Sequence, residues 1–210
     1  MTAVSAAWLE ARLATPARDL GVVIPESSFE PLAEYASLVL EWGTRINLTG
    51  ARTSAALADD HLADALAMLP LLPGGPFRFV EVGSGAGLPG IPIALLRPDA
   101  SGVLLEPTGK KHTFLAHAIR ALSLSDRLEA RRERLEQHLA EGGRGVYDVA
   151  VSRAVWRANE WLALGEPLLK PAGVLLGVEG STAGELPAGA TRHPYRLQGR
   201  LRAVIARRRS

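Results

Sequence analysis

The sequence predicts an α/β fold, a doubly wound and mostly parallel sheet behind an N-terminal helical extension. Three observations lead there. Apolar residues recur at helical spacing through the first third of the chain. After a breaker cluster of Pro70, Pro73, Gly74, Gly75 and Pro76, the pattern changes to short apolar strands alternating with helical stretches. The first of those strands ends in a glycine-rich turn that opens a helix.

Taken in order, residues 6–20 and 28–42 read as amphipathic helices, the second with a stripe of Phe29, Leu32, Ala33, Ala36, Val39 and Leu40. A third helical segment covers 57–69. These pieces form an extension over 1–72, and 73–210 is expected to be the sheet domain. Strands are read at 77–82, 103–105, 128–130, 146–152 and 174–178, with helices at 91–96, 110–122, 135–140 and 160–169. Near the end, 191–197 and 201–206 read as two antiparallel strands joined at Gln198-Gly199.

Composition removes several function classes. The 210 residues contain no cysteine, which excludes disulfides, thiolate metal sites and a cysteine nucleophile. No clustered metal ligands are seen either, and no metal is expected. The chain starts without a basic segment followed by an apolar run, so no secretory signal is expected. No uncharged apolar stretch reaches the roughly 18 residues that a bilayer span needs. A cytoplasmic protein without a membrane partner, and a monomer, is the expectation. The 24 basic residues exceed the 22 acidic ones by too little to identify a nucleic-acid binder. Their distribution points either way: Arg127, Arg131, Arg132 and Arg134 cluster, and Arg207, Arg208 and Arg209 fall near the end, as RNA contacts or as a solvated surface.

The segment carrying most chemistry is Phe79-Val80-Glu81-Val82-Gly83-Ser84-Gly85-Ala86-Gly87-Leu88-Pro89-Gly90. Its glycines allow a sharp turn and close approach of backbone to a ligand, at the switch point where open parallel sheets bind ligands. Gly85, Gly87 and Gly90 also satisfy a dinucleotide fingerprint, with Glu106 about twenty residues after its start, so a nicotinamide cofactor stays open. Glu81 two positions before the glycines and the pair Gly83-Ser84-Gly85 close to the strand favour S-adenosylmethionine. A carboxylate there is complementary to the cationic ammonium and sulfonium. Glu106, at the end of the second strand, is suited to ribose hydroxyls. Arg153, at the end of the fourth strand, is suited to the donor carboxylate or to a phosphate. Asp148 reads as a loop residue, His61 as structural and Trp42 as core.

These residues resemble the ribosomal RNA small-subunit methyltransferase G family, also called glucose-inhibited division protein B. The match is carried by Trp42-Gly43-Thr44-Arg45-Ile46-Asn47-Leu48-Thr49, His61-Leu62-Ala63-Asp64, Val82 through Pro92, Gly109-Lys110-Lys111, Ser152-Arg153-Ala154 and Leu168-Leu169-Lys170-Pro171. The resemblance implies a Rossmann-like methyltransferase fold and methylation of a guanine N7 in small-subunit (16S) ribosomal RNA. Its partner is then that RNA or an assembling small subunit. It also implies that Gly83, Leu88, Leu135, Glu136 and Arg153 bind the methyl donor, beside Glu81, Ser84, Gly85, Gly87 and Glu106 from the loop reading. On their own, Leu135 reads as core and Glu136 as a solvated helix residue. Asn47, Lys110 and Lys111 are the expected contacts to RNA.

The chain departs from that family at four places. Glu106 replaces an aspartate, Ala65 a serine, Val155 a phenylalanine, and Glu179-Gly180 a lysine-glycine pair. A carboxylate at 179 is expected to repel phosphate. Guanine N7 presents a lone pair at neutral pH, so no general base is required, and Arg153 is the residue expected to orient donor and target. A non-catalytic RNA-binding relative and a methyltransferase acting on another substrate are the remaining alternatives.

Overall fold

The computed structural model describes residues 3–153, 157–179, 185–197 and 199–209. Ala154, Val155 and Gly180 of the family motifs, and Gln198 of the expected hairpin turn, lie outside them.

Helix α1 (Ala6–Asp19) starts where the Ser5 hydroxyl accepts from the Trp8 amide, replacing a hydrogen bond that the first turn cannot make internally. It buries Leu9, Leu13 and Ala17, a stripe with i, i+4 spacing. Helix α2 (Phe29–Gly43) buries Leu32, Ala33, Tyr35, Ala36 and Val39. The third helical run starts earlier than expected, as α3 (Ser54–Leu57) capped by Thr53. It widens through a π turn (Ala58–Leu62) and ends as α4 (Ala63–Met68). Pro70, which has no N–H to give, follows in a 3-10 turn.

Among the described residues seven strands follow: β1 (Phe77–Val82), β2 (Ala100–Leu105), β3 (Leu128–Arg131), β4 (Tyr147–Ser152), β5 (Leu169–Glu179), β6 (Ala190–Leu197) and β7 (Arg200–Arg208). Their order in the sheet is β3-β2-β1-β4-β5-β7-β6. The first five run parallel, β7 is antiparallel to β5, and β6 pairs antiparallel with β7. Helices α5 (Gly90–Leu96), α6 (Gly109–Ala121), α7 (Leu135–Ala140) and α8 (Ala158–Leu164) cover the sheet.

Alternation along β1 sorts the two faces. Phe77 and Phe79 pack with α5, α6 and the helices of the extension, whose Leu9, Leu32 and Leu66 join the same apolar cluster. Val80 and Val82 pack on the other face with Leu135 of α7 and with Trp161 and Leu162 of α8. Between β1 and β2 the fit is close enough to require glycine: a Cβ on Gly102 would lie 2.6 Å from the Phe79 ring.

One boundary corrects the sequence reading. The helix expected over 160–169 stops at Leu164, because Gly165 caps it and Glu166–Leu168 forms a 3-10 turn around Pro167. Strand β5 therefore begins at Leu169, five residues before the expected 174. Its pairing with β4 shifts register between Tyr147 and Val149, which accommodates Pro171 and the left-handed Ala172 (φ 62).

Candidate active site

Strand β1 lies between β2 and β4, so the connections after β1 diverge to opposite faces and leave a crevice at the strands' C-terminal ends. The glycine loop fills that position. Gly83, Gly85 and Gly87 have φ of 73, 58 and 79, a left-handed region that side chains disfavour. The amides of Gly83 and Ser84 both donate to the Leu105 carbonyl at 3.0 Å, fixing the loop to the end of β2. The Ser84 hydroxyl donates to the Glu81 carbonyl at 3.1 Å, and the Gly87 amide to the Ser84 carbonyl at 2.7 Å.

The glycines differ in what they make room for. A Cβ on Gly87 would lie 2.6 Å from Ile91 Cδ1, so that glycine permits close packing of the loop on its own helix. A Cβ on Gly85 would stand in ordinary van der Waals contact with the Leu48 carbonyl oxygen at 3.7 Å, so here the left-handed backbone, and not crowding, is what favours glycine.

Glu106 follows β2 directly and is almost fully buried. Its Oε2 accepts from the Gly85 amide at 2.9 Å and its Oε1 from the Thr108 amide at 2.8 Å. Glu81, the other acid of this region, is buried as well. Its position in β1 points it to the face of Phe79, where Oε2 accepts from the Gly90 amide at 3.2 Å, behind the loop. Burial pushes its pKa up to about 8, against the lowering effects of that amide and the Arg153 charge. At neutral pH without a ligand the group is largely protonated, and a cation bound beside it would favour its ionised form.

Arg153 leaves the end of β4 with its guanidinium already engaged. Nη1 lies 2.6 Å from His61 Nδ1 and 3.7 Å from Asp64 Oδ2, and Nε is 3.4 Å from the Leu88 carbonyl. His61 is held on its other side by Thr49, with Nε2 3.0 Å from Oγ1. Burial, followed by the charges of Arg153 and Arg202, lowers the His61 pKa to about 3, so the ring is neutral and can accept from arginine. Asp64, fully buried, accepts from the Tyr195 hydroxyl at 2.6 Å and from Arg202 Nη2 at 2.8 Å.

The remaining predicted residues lie around this centre. Leu135 is buried under the start of α7, and Glu136 beside it is exposed. That helix is anchored by His138, whose Nδ1 is 2.8 Å from Glu133 and whose Nε2 is 2.7 Å from the Tyr147 hydroxyl. Lys110 is exposed and Lys111 half-buried in the first turn of α6. The Arg132 guanidinium stands against neighbouring Gly109, 3.2 Å from where a Cβ would be. Asn47 is exposed, next to the Leu48 carbonyl that borders Gly85. Trp42 is only partly buried, in edge contact with Phe114 at 5.6 Å and tilted against His117 at 5.3 Å.

Other charges serve the scaffold. Asp148 accepts from the Arg78 amide and from Lys170 Nζ, each at 2.8 Å, at the opposite end of the sheet. Arg127 donates to the carbonyls of Ala94, Arg97 and Ala100, and Arg131 pairs with Glu129. Near the C-terminus Arg207 pairs with Glu166, and Arg209 donates to the Leu169 carbonyl. Glu179 pairs with Arg192 at 2.7 Å, so the carboxylate expected to repel phosphate is neutralised within the sheet. Sequence reasoning missed Tyr35, Asp64, Tyr195 and Arg202 as parts of the site. The available signals were the His61-Leu62-Ala63-Asp64 stretch of the family resemblance and the three-position spacing of its ends on a helix.

The sheet order, with an antiparallel seventh strand inside the sixth, and the glycine loop at the switch point define a Rossmann-like methyltransferase fold. Solved structures agree. The Escherichia coli protein yhhF, a candidate methyltransferase, superposes with a TM-score of 0.54 at 16% identity, over 68% of this chain and 82% of its own. The Haemophilus influenzae candidate methylase HI0767 gives 0.53 at 16% identity, over 68% and 84%. Residues 28–200 match the family model described as rRNA small subunit methyltransferase G. A protein named Ribosomal RNA small subunit methyltransferase G from Xanthomonas euvesicatoria pv. vesicatoria is 36% identical over 190 residues, 85% of this chain and 86% of the relative. One of the same name from Sorangium cellulosum is 35% identical over 175 residues, 82% and 72%. The chain belongs to the rRNA small subunit methyltransferase G family.

Proposed function

We propose that this chain transfers the methyl group of S-adenosylmethionine to N7 of a guanine in small-subunit (16S) ribosomal RNA, in the cytoplasm where that RNA is assembled with protein. Besides family membership, the observation that carries the reading is the position of Glu106, which follows β2 and accepts from the Gly85 amide of the glycine loop. An ionised carboxylate has roughly four acceptor directions. The Gly85 and Thr108 amides use two, and the other two suit the adjacent hydroxyls of a ribose.

The donor supplies a methyl group already activated on a sulfonium. The protein's own part is to bind, orient and exclude water. Gly83, Ser84, Gly85 and Leu88 line the turn that receives the amino-acid end, with Gly87 shaping it from below. Leu135 and Glu136 border the base, and Arg153 holds the donor carboxylate. Guanine N7 attacks through a lone pair that is free at neutral pH, so no side chain must remove a proton first. Asn47 beside the loop and Lys110 and Lys111 at the start of α6 contact the RNA, the lysines through phosphate. Among the described residues no helix is long and apolar enough to cross a membrane.

The test is to map 7-methylguanosine in small-subunit RNA from a strain lacking this gene, then add the purified protein to that RNA, naked or within subunits. One guanine should lose its methyl group and regain it. Persistence of every modified guanine in the deletion strain rejects the reading.

A further inference from the structure

We infer that His61 and Asp64, on the helical run of the extension, are positioning residues that set the direction in which Arg153 presents its free amino group to the methyl donor. The inference rests on the donor site proposed above and adds the residues that aim it.

The arginine is constrained on three sides by groups from different parts of the chain. Leu88, at the end of the glycine loop, offers its carbonyl to Nε. His61, in the π turn, takes Nη1, with the Asp64 carboxylate 3.7 Å from the same nitrogen. Among the described residues Nη2 has no partner, so it is the donor left for a ligand. A planar guanidinium with Nε and Nη1 engaged has no remaining freedom at Nη2, so a carboxylate oxygen meets that donor from one fixed direction.

Both acceptors are themselves held. Asp64 stands three positions after His61, which puts the two on one face of the helix, and π turns of this kind recur at functional sites. Thr49 fixes the far side of the imidazole, so a neutral ring carrying its proton on Nε2 presents Nδ1 as the acceptor. Asp64 is gripped by Tyr195 of β6 and Arg202 of β7, which also donates to the Asp60 carbonyl at 3.3 Å. A buried carboxylate shared by two guanidiniums is a poor device for stability alone, since desolvation offsets much of its attraction. It is well suited to fixing geometry.

The test compares His61→Leu, which removes the acceptor, with His61→Gln, which keeps an acceptor oxygen. Calorimetry with S-adenosylhomocysteine reads Kd and stoichiometry, with a thermal melt as the folding control. The expected result is a Kd raised about tenfold or more in His61→Leu, the loss typical of a hydrogen bond to a charged group. Stoichiometry should stay at one, and His61→Gln should recover most of the affinity. A purely structural role would lower the stoichiometry and leave Kd unchanged, and that result overturns the inference. So does a weakened His61→Leu that His61→Gln fails to rescue. If His61→Leu does not fold, Thr49→Val carries the test by freeing the ring's far side, with Kd expected to rise severalfold and an unchanged Kd counting against. Absence of binding by the unaltered protein would instead reject the donor site, and the inference with it.

Discussion

Tyr35 reaches from α2 to the glycine loop and donates its hydroxyl proton to the Ala86 carbonyl across 2.7 Å. The side chain is fully buried, and burial, with the nearby Glu81 carboxyl, raises its pKa well above the ordinary value. It stays a donor at any physiological pH. The helical extension is thereby part of the loop's support.

Tyr35→Phe should leave that carbonyl without its partner at a cost of about 1–3 kcal/mol. For a chain of this size that lowers Tm by about 2–4 °C per kcal/mol. Calorimetry should show weaker donor binding as well, because the loop is less fixed before binding. A variant that melts and binds like the parent would show that the hydroxyl supports nothing.

Gly83→Val tests the placement of the donor directly. Gly83 has φ 73, and a β-branched residue there is strained before any ligand arrives. Added bulk at the mouth of the turn should abolish measurable binding of S-adenosylhomocysteine. Unchanged affinity in a folded Gly83→Val protein would remove the donor from this loop.

Glu106→Ala takes away the acceptor for the Gly85 and Thr108 amides together with the proposed ribose contact. Donor affinity should fall by roughly tenfold to a hundredfold, the range for losing hydrogen bonds to an ionised group. An aspartate restores the charge on a shorter arm, so Glu106→Asp should recover part of the loss. Equal binding by all three proteins would show that the carboxylate serves the loop alone.

What the sequence made legible was local. The strand, turn and helix from Phe77 to Leu96 follow from contiguous residues, and so does the β6–β7 hairpin. The boundary of α8 was misplaced because an apolar run across Pro167 reads equally as helix or buried strand. Of the support of Arg153, only the pairing of His61 and Asp64 within one short motif was legible. Tyr195 and Asp64 are 131 positions apart, and periodicity has no reach over that distance. The arginine clusters stayed ambiguous for a related reason, since a sequence shows where charge is and not which carbonyls, such as those of Ala94 and Ala100, already occupy it.

Glu81 makes the last prediction, one of pH. Its pKa rises from 4.5 in the unfolded chain to about 8 in the fold. The folded state therefore holds the extra proton between those values, and stability from this group is full below pH 4.5 and lost as pH rises through 8. His61 works the other way: its folded pKa of about 3 adds stability above pH 6.5 that is lost on acidification. The two slopes oppose each other in the parent protein, so a single melting curve does not separate them. A difference does. Glu81→Gln mimics the protonated carboxyl at every pH, retains an oxygen for the Gly90 amide, and leaves His61 in place. Scanning calorimetry from pH 5 to pH 9 should show the Tm of Glu81→Gln rising relative to the parent as pH increases. Parallel curves would mean that Glu81 is ionised throughout and faces a charge that the fold keeps beside it.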